Sequence, residues 1–79
     1  MHNAEDEVIY NDLMTLLTKT IDGLPPKRQE IFKLSRLHGK SYKEISNELS
    51  ISEKTIETHM RLALRDIKSI IEPALNKIL

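Results

Sequence analysis

No cysteine and no tryptophan occur in the 79 residues, and one phenylalanine and two tyrosines are the only aromatic side chains. Without cysteine, disulfides and thiolate metal sites are excluded, and nothing in the composition argues for secretion. No alternating run of β-branched and aromatic residues reads as a strand. No apolar run approaches the roughly 18 residues of a membrane span, so membrane insertion is not expected. The first ten residues, "MHNAEDEVIY", are acidic and polar, unlike a signal peptide. A soluble cytoplasmic protein, or a fragment of one, is the default expectation, folded as one domain over residues 1–79. A domain of that length lies near the small end of what folds unaided.

Net charge is lacking as well: twelve acids balance twelve bases. The distribution is uneven. Met1 to Pro26 carries five acids (Glu5, Asp6, Glu7, Asp12, Asp22) against Lys19 alone, whereas Lys27 to Leu79 carries eleven bases against seven acids. Attraction for phosphate follows the local field, so a neutral total does not exclude a nucleic-acid partner for the basic portion.

What is present is helical periodicity throughout. The first helix is expected over about 4–21, with Ile9, Leu13, Leu16, Leu17 and Leu24 in one apolar stripe and Tyr10, Met14 and Ile21 in a second beside it. "DGLPP" ends it: Gly23 suits a left-handed cap and the two prolines forbid continuation. A second helix, about 27–38, turns Ile31, Leu34, Ser35 and Leu37 inward, with Phe32 at the edge and Gly39 at its end. Ser41, with Glu44 three residues on, is a capping box opening a third helix over 42–49. Ser52 caps a fourth over about 53–72, whose apolar face is Ile56, Met60, Ala63, Ile67, Ile70 and Ile71. Pro73 kinks it or starts a fifth over 73–79. The fold class is therefore all-α: four helices, with a short fifth as the variant.

Between the third and fourth helices, "SYKEISNELSISEKTIETHM" supplies the contacts that hold two crossed helices together. Ile45, Ser46, Leu49, Ile51, Ile56 and Met60 are apolar or small at each offset a helix-turn-helix requires, while Glu53, Lys54, Thr55, Glu57, Thr58 and Arg61 are polar. The turn lacks its usual glycine. Ser50 stands there, and a positive φ would cost it roughly 1 kcal/mol. Ser46 stands where alanine is usual, so its hydroxyl must bond locally. An ordinary helical hairpin is the bland alternative, but it gives no reason for so polar a face.

The segments "LPPKRQEIFKLSR", "GKSYKEIS" and "ISEKTIETH" resemble region 4 of bacterial RNA polymerase sigma factors, most closely the extracytoplasmic-function group. With the helix ahead of them, the resemblance covers nearly the whole chain. It implies recognition of the promoter −35 element in double-stranded DNA by the fourth helix, and docking of the N-terminal helices on the β-flap of the RNA polymerase core. It also implies a longer parent protein, because no segment is available for the region that reads the −10 element. Glu57, His59, Leu62 and Leu64 stand where basic or polar residues are frequent, which implies weak DNA binding by the isolated domain.

On this reading Lys54, Thr55, Thr58 and Arg61 are the candidates for base edges, with Arg61 suited to guanine and the threonines to a thymine methyl. Ser41 and Ser52 offer helix N-termini to phosphate, and Lys40, Lys43 and Arg65 add charge. Tyr10, Met14, Ile21 and Leu62 exceed what one packing face needs: either they form a partner surface, which the β-flap, region 2 or an anti-sigma factor would cover, or they belong to a wider core closed by the C-terminal "ALNKIL". His2, His38 and His59 are isolated, so no metal site is expected. No nucleophile–base pair or phosphate loop appears, so neither catalysis nor a cofactor is expected. Two alternatives remain beside the sigma reading. One is the DNA-binding output domain of a response regulator; the other is a helical module that binds protein alone.

Overall fold

The computed structural model describes the backbone of residues 4–78 and the side chains of residues 10–77. Four helices follow in order: α1 (Ala4–Asp22), α2 (Pro26–Arg36), α3 (Tyr42–Leu49) and α4 (Glu53–Ile78). No strand occurs among the described residues. α4 packs against each of the other three, and α2 also meets α3. The extents are 45 × 23 × 17 Å, the long axis set by the 26 residues of α4.

The core lies where α2, α3 and the first half of α4 converge. Ile31, Ile45, Ile56 and Met60 are its fully buried side chains, with Leu24, Phe32 and Ala63 around them. Each large side chain contributes roughly 1.5–3 kcal/mol by leaving water. Leu49 and Ile51 close the α3–α4 turn from the side. Thr20 is the buried polar residue; its hydroxyl donates to the Leu16 carbonyl at 2.7 Å, so its burial leaves nothing unpaired.

An ion pair braces α2 on α4: the Arg28 Nη1 lies 3.1 Å from the Asp66 Oδ2. Arg65 donates to the other oxygen from Nη2 at 3.0 Å and Nε at 3.2 Å. These cations, Arg65 foremost and then Arg28, hold the Asp66 carboxyl below the usual carboxylate range.

The structure corrects several expectations. α2 ends at Arg36 rather than His38. The N–H groups of Leu37 and His38 both donate to the Lys33 carbonyl, and that of Lys40 donates to Leu34. Gly39, at φ 65°, turns the chain away, so Leu37 is 65 % exposed instead of buried. Phe32, expected at the rim, is buried. Gly23 does not take the left-handed conformation. Its N–H reaches Lys19 and Thr20, and the Leu24 N–H reaches Ile21, which tightens the last turn of α1 and satisfies the carbonyls without a reversal.

Ile21 belongs to the core, not to a partner surface: it follows Thr20 at the end of α1 where that helix meets α4. Ile70, assigned to the inward face of α4, is 45 % exposed because the neighbouring helices leave it beside the α1 joint. There is no separate fifth helix over the described residues; α4 runs through Pro73 to Ile78. The missing N–H removes one ladder bond near the end of a 26-residue helix, and the helix continues past it. The expected contributions of His2, Ile9 and Leu79 lie outside the described residues.

Candidate nucleic-acid interface

The local chemistry of residues 41–52 fixes how α3 and α4 cross. Ser41 is extended (φ −73°, ψ 161°) and its Oγ accepts the Glu44 N–H at 3.1 Å. The Glu44 carboxylate returns the bond by accepting the Ser41 N–H at 2.9 Å, completing the capping box. That backbone bond is the foremost cause of a Glu44 acidity stronger than usual, with the Ser41 hydroxyl second. At the other end Ser50 adopts φ 55° and ψ 43°, the left-handed conformation expected of a glycine, and its N–H bonds the Ser46 carbonyl.

Ser46 is half-buried at the crossing. Its hydroxyl donates to the Ile51 carbonyl at 2.5 Å, which ties α3 to the residue entering α4. Ser52 then caps α4: its Oγ accepts the Thr55 N–H at 3.1 Å. Ile45, Ile56 and Met60 are fully buried, which makes the clamp between the two helices dry. The α3–α4 unit is thus a helix-turn-helix with its required contacts made by side chains of the expected type.

Beyond that clamp the first half of α4 faces solvent. Glu53, Lys54, Thr55, Glu57 and Arg61 are exposed, and Thr58 is half-buried. Lys54, Thr58 and Arg61 come together around an open groove of about 600 Å³, floored by Met60 and bounded by Glu57, Leu64 and Tyr42. The Lys54 ammonium sits 3.9 Å from the Glu57 carboxylate, an exposed pair of little energetic weight that a competing phosphate can displace.

The remaining candidates divide. Thr55 is absent from that groove: its hydroxyl is 2.9 Å from that of Ser52, so it supports the cap. The Thr58 hydroxyl donates to the Lys54 carbonyl at 3.1 Å, so its hydrogen is engaged within the helix. Lys43 and Ser41 are exposed at the start of α3. Lys40 is bound to Glu48 across α3. Arg65 is turned to Asp66 and away from the groove.

Tyr42 was missed in the sequence. It is the first residue of α3 and lies against the groove, half-buried. Its position immediately after the Ser41 cap was the available signal, since a side chain there leaves the helix N-terminus beside the second helix.

On the candidate partner surface, Tyr10 is 62 % and Met14 41 % exposed. Met14 borders a hollow with Asn11, Thr15, Thr18 and Lys19. Leu62 is half-buried. Only Tyr10 and Met14 of the four named apolar candidates therefore present open surface. Among the described residues no group of three or more His, Asp or Glu is placed to hold a metal ion, and no helix is long and apolar enough to cross a membrane.

The chain matches the family model described as Sigma-70, region 4 over residues 14–67. That span starts within α1, takes in α2, α3 and the first half of α4, and ends at Ile67. No curated protein matches the chain closely enough to serve as a relative.

Proposed function

Since the chain belongs to the sigma-70 region 4 family, we propose that it recognises a promoter −35 element through the outer face of α4 while attached to RNA polymerase. The family binds DNA in sigma-dependent transcription initiation and is not a catalytic one. The observation that carries the finer reading is the asymmetry of α4: Ile56, Met60 and Ala63 are buried while Lys54, Glu57 and Arg61 on the same turns are bare. A polar outer half is common to surface helices; it supports the reading here because it belongs to the second helix of a helix-turn-helix, the element that enters a major groove.

In this reading Lys54 and Arg61 are the principal base-edge or phosphate contacts, with Thr58 between them. Arg61 suits the O6 and N7 acceptors of guanine. Glu57 accepts from a cytosine amino group or rejects the wrong base. At the exposed start of α3, behind the Ser41 cap, the N–H groups of Tyr42 and Lys43 and the Lys43 charge hold a backbone phosphate. Ser52 and Thr55 shape the start of α4, while Lys40 and Arg65 contribute through field rather than contact. Tyr10 and Met14 on α1 are the surface for the polymerase β-flap or an anti-sigma factor. The "LPPKRQEIF" segment supports placing the chain in the extracytoplasmic-function group, and the cytoplasm is where such a protein works.

Fluorescence anisotropy with duplexes carrying candidate −35 sequences, with and without RNA polymerase core, tests this. Sequence-dependent binding that sharpens with core supports it. Arg61→Ala should relax preference at one base pair by roughly 1–3 kcal/mol. A loss equal for all duplexes makes Arg61 a phosphate contact instead. No DNA signal in either setting, with tight binding to core, favours a module that binds protein alone.

A further inference from the structure

α3 is eight residues long, so its cover along α4 ends near Leu64, which borders the groove shared with Tyr42. α4 runs on, and the same line stays apolar. Leu64, Ile67, Ile71 and Leu75 border a second hollow of about 490 Å³ whose walls, completed by Lys68 and Glu72, all come from α4 itself. Leu64 is 42 % exposed, Ile71 and Leu75 are half-buried, and Ile67, half-buried as well, packs on the core at the inner edge of the stripe. At about 100° per residue the stripe lies well round the helix from α1, which meets α4 near Asp66, Ser69 and Ile70. Its spacing of three and four residues, over roughly 16 Å, is that of a seam for another helix.

We propose that this seam is closed by the same seam of a second copy, the two α4 helices running antiparallel about a two-fold axis near Ile70. The charges on its border select that occupant. Lys68 and Glu72 are exposed on one flank, and neither takes part in an ion pair among the described residues. In an antiparallel pair like flanks meet, so Lys68 faces Glu72 of the second copy, and symmetry makes the contact twice. Within one helix a lysine four residues before a glutamate is the weaker order of pairing, which leaves both groups available to a neighbour. A formal net charge of zero removes overall repulsion between copies. The seam starts beyond Arg61 and points about a quarter turn away from Lys54, Thr58 and Arg61, so those side chains stay uncovered.

Sedimentation equilibrium of the full chain tests this, from tens of micromolar to about 1 mM, the range in which a weak two-helix contact registers. A monomer–dimer equilibrium is expected. Lys68→Glu sets acids against acids at both contacts and should weaken the dimer roughly tenfold or more. Adding Glu72→Lys to it should restore association, which a general surface effect does not predict. Ile71→Asp should abolish the dimer, with circular dichroism checking that helix content is kept. A chain monomeric throughout, or a dimer indifferent to charge reversal, overturns the proposal. So does a monomer whose Lys68→Glu variant loses affinity for polymerase core, because the seam then belongs to polymerase. The charge-reversed pair should bind −35 duplexes like the parent, so failure here is distinct from failure of the promoter reading.

Discussion

Ser50→Gly should stabilise the domain, and the amount follows from two opposing terms. Ser50 holds φ 55° and ψ 43° at the end of α3, a conformation that costs a residue with a Cβ about 1–2 kcal/mol. Glycine removes that strain but adds freedom to the unfolded chain, worth about 0.4–1 kcal/mol in the other direction. Ser50 is exposed, so deleting its side chain opens no cavity. The balance is a gain of roughly 0.5–1 kcal/mol, which in a domain of this size raises Tm by about 2–8 °C.

Gly39→Ala is the matched control. Gly39 lies at φ 65°, and a Cβ there meets no atom within 4 Å. Any effect must therefore come from the backbone, with the sign reversed: a loss of roughly 0.5–1 kcal/mol. Thermal and urea unfolding followed by far-UV circular dichroism would measure both. Because the turn at Ser50 is pinned from both sides by the Ser46 hydroxyl bond and the Ile51 contact, affinity for a −35 duplex should not change. A lower Tm for Ser50→Gly, or a neutral Gly39→Ala, refutes the strain account of both turns.

Ile56→Ala, at a fully buried position, should cost about 2–5 kcal/mol, a large part of the roughly 4–12 kcal/mol available to a chain this long. Its urea midpoint should fall steeply, and Ile56→Val should cost only about 0.5–1.5 kcal/mol. The α2–α4 brace is acid-sensitive. The Asp66 carboxyl is more acidic folded than unfolded, so its contribution is complete above about pH 4 and is lost as pH falls further. Melting curves between pH 7 and 3 should therefore show a smaller acid loss for Asp66→Asn than for the parent, and equal losses would count against the brace. Binding to a −35 duplex should show a shallow salt dependence, with a log–log slope near −3 if about three cations meet phosphates. A slope steeper than about −6 would mean that the cations paired internally are also engaged.

The helix-turn-helix was legible because its determinants are local. Ser41 and Glu44 make a capping box within four residues, and Ile45, Leu49, Ile51, Ile56 and Met60 declare their burial by spacing alone. Ser50 could be assigned a left-handed backbone from the turn's geometry, and has it. The misses have other causes. Leu37 was placed by the period of an isolated α2, which that helix abandons at Arg36. Phe32 was placed by the same period, but which edge of α2 is covered depends on α4, far along the chain. Ile21 looked surplus to α1 for the same reason. Thr55, Thr58 and Arg65 are polar and outward by periodicity, yet their bonds to Ser52, Lys54 and Asp66 are settled only by rotamers. Period locates a face; it does not say which groups on that face are already spoken for.

That distinction accounts for a DNA-binding domain with no net charge. Of the bases from Lys27 onward, Lys27, Arg28, Lys33, Lys40 and Arg65 each sit against an acid within the same chain. Arg28 joins α2 to α4 and Lys33 joins α2 to the end of α1; the other three are held by acids on their own helix or on the helix that follows. Arg61 and Lys43 take part in no ion pair among the described residues, and Lys54 keeps only a loose contact with Glu57. Lys43 and Lys54 lie exposed in the first turns of α3 and α4, where the helix N-termini add their own partial positive charge, and Arg61 lies exposed two turns further along α4. Glu44, Glu53 and Glu57 are exposed beside them, so phosphate meets three reachable cations through geometry and not through a local excess of charge. Affinity from so few contacts is modest, which fits the proposal that this domain reads DNA while polymerase holds it close.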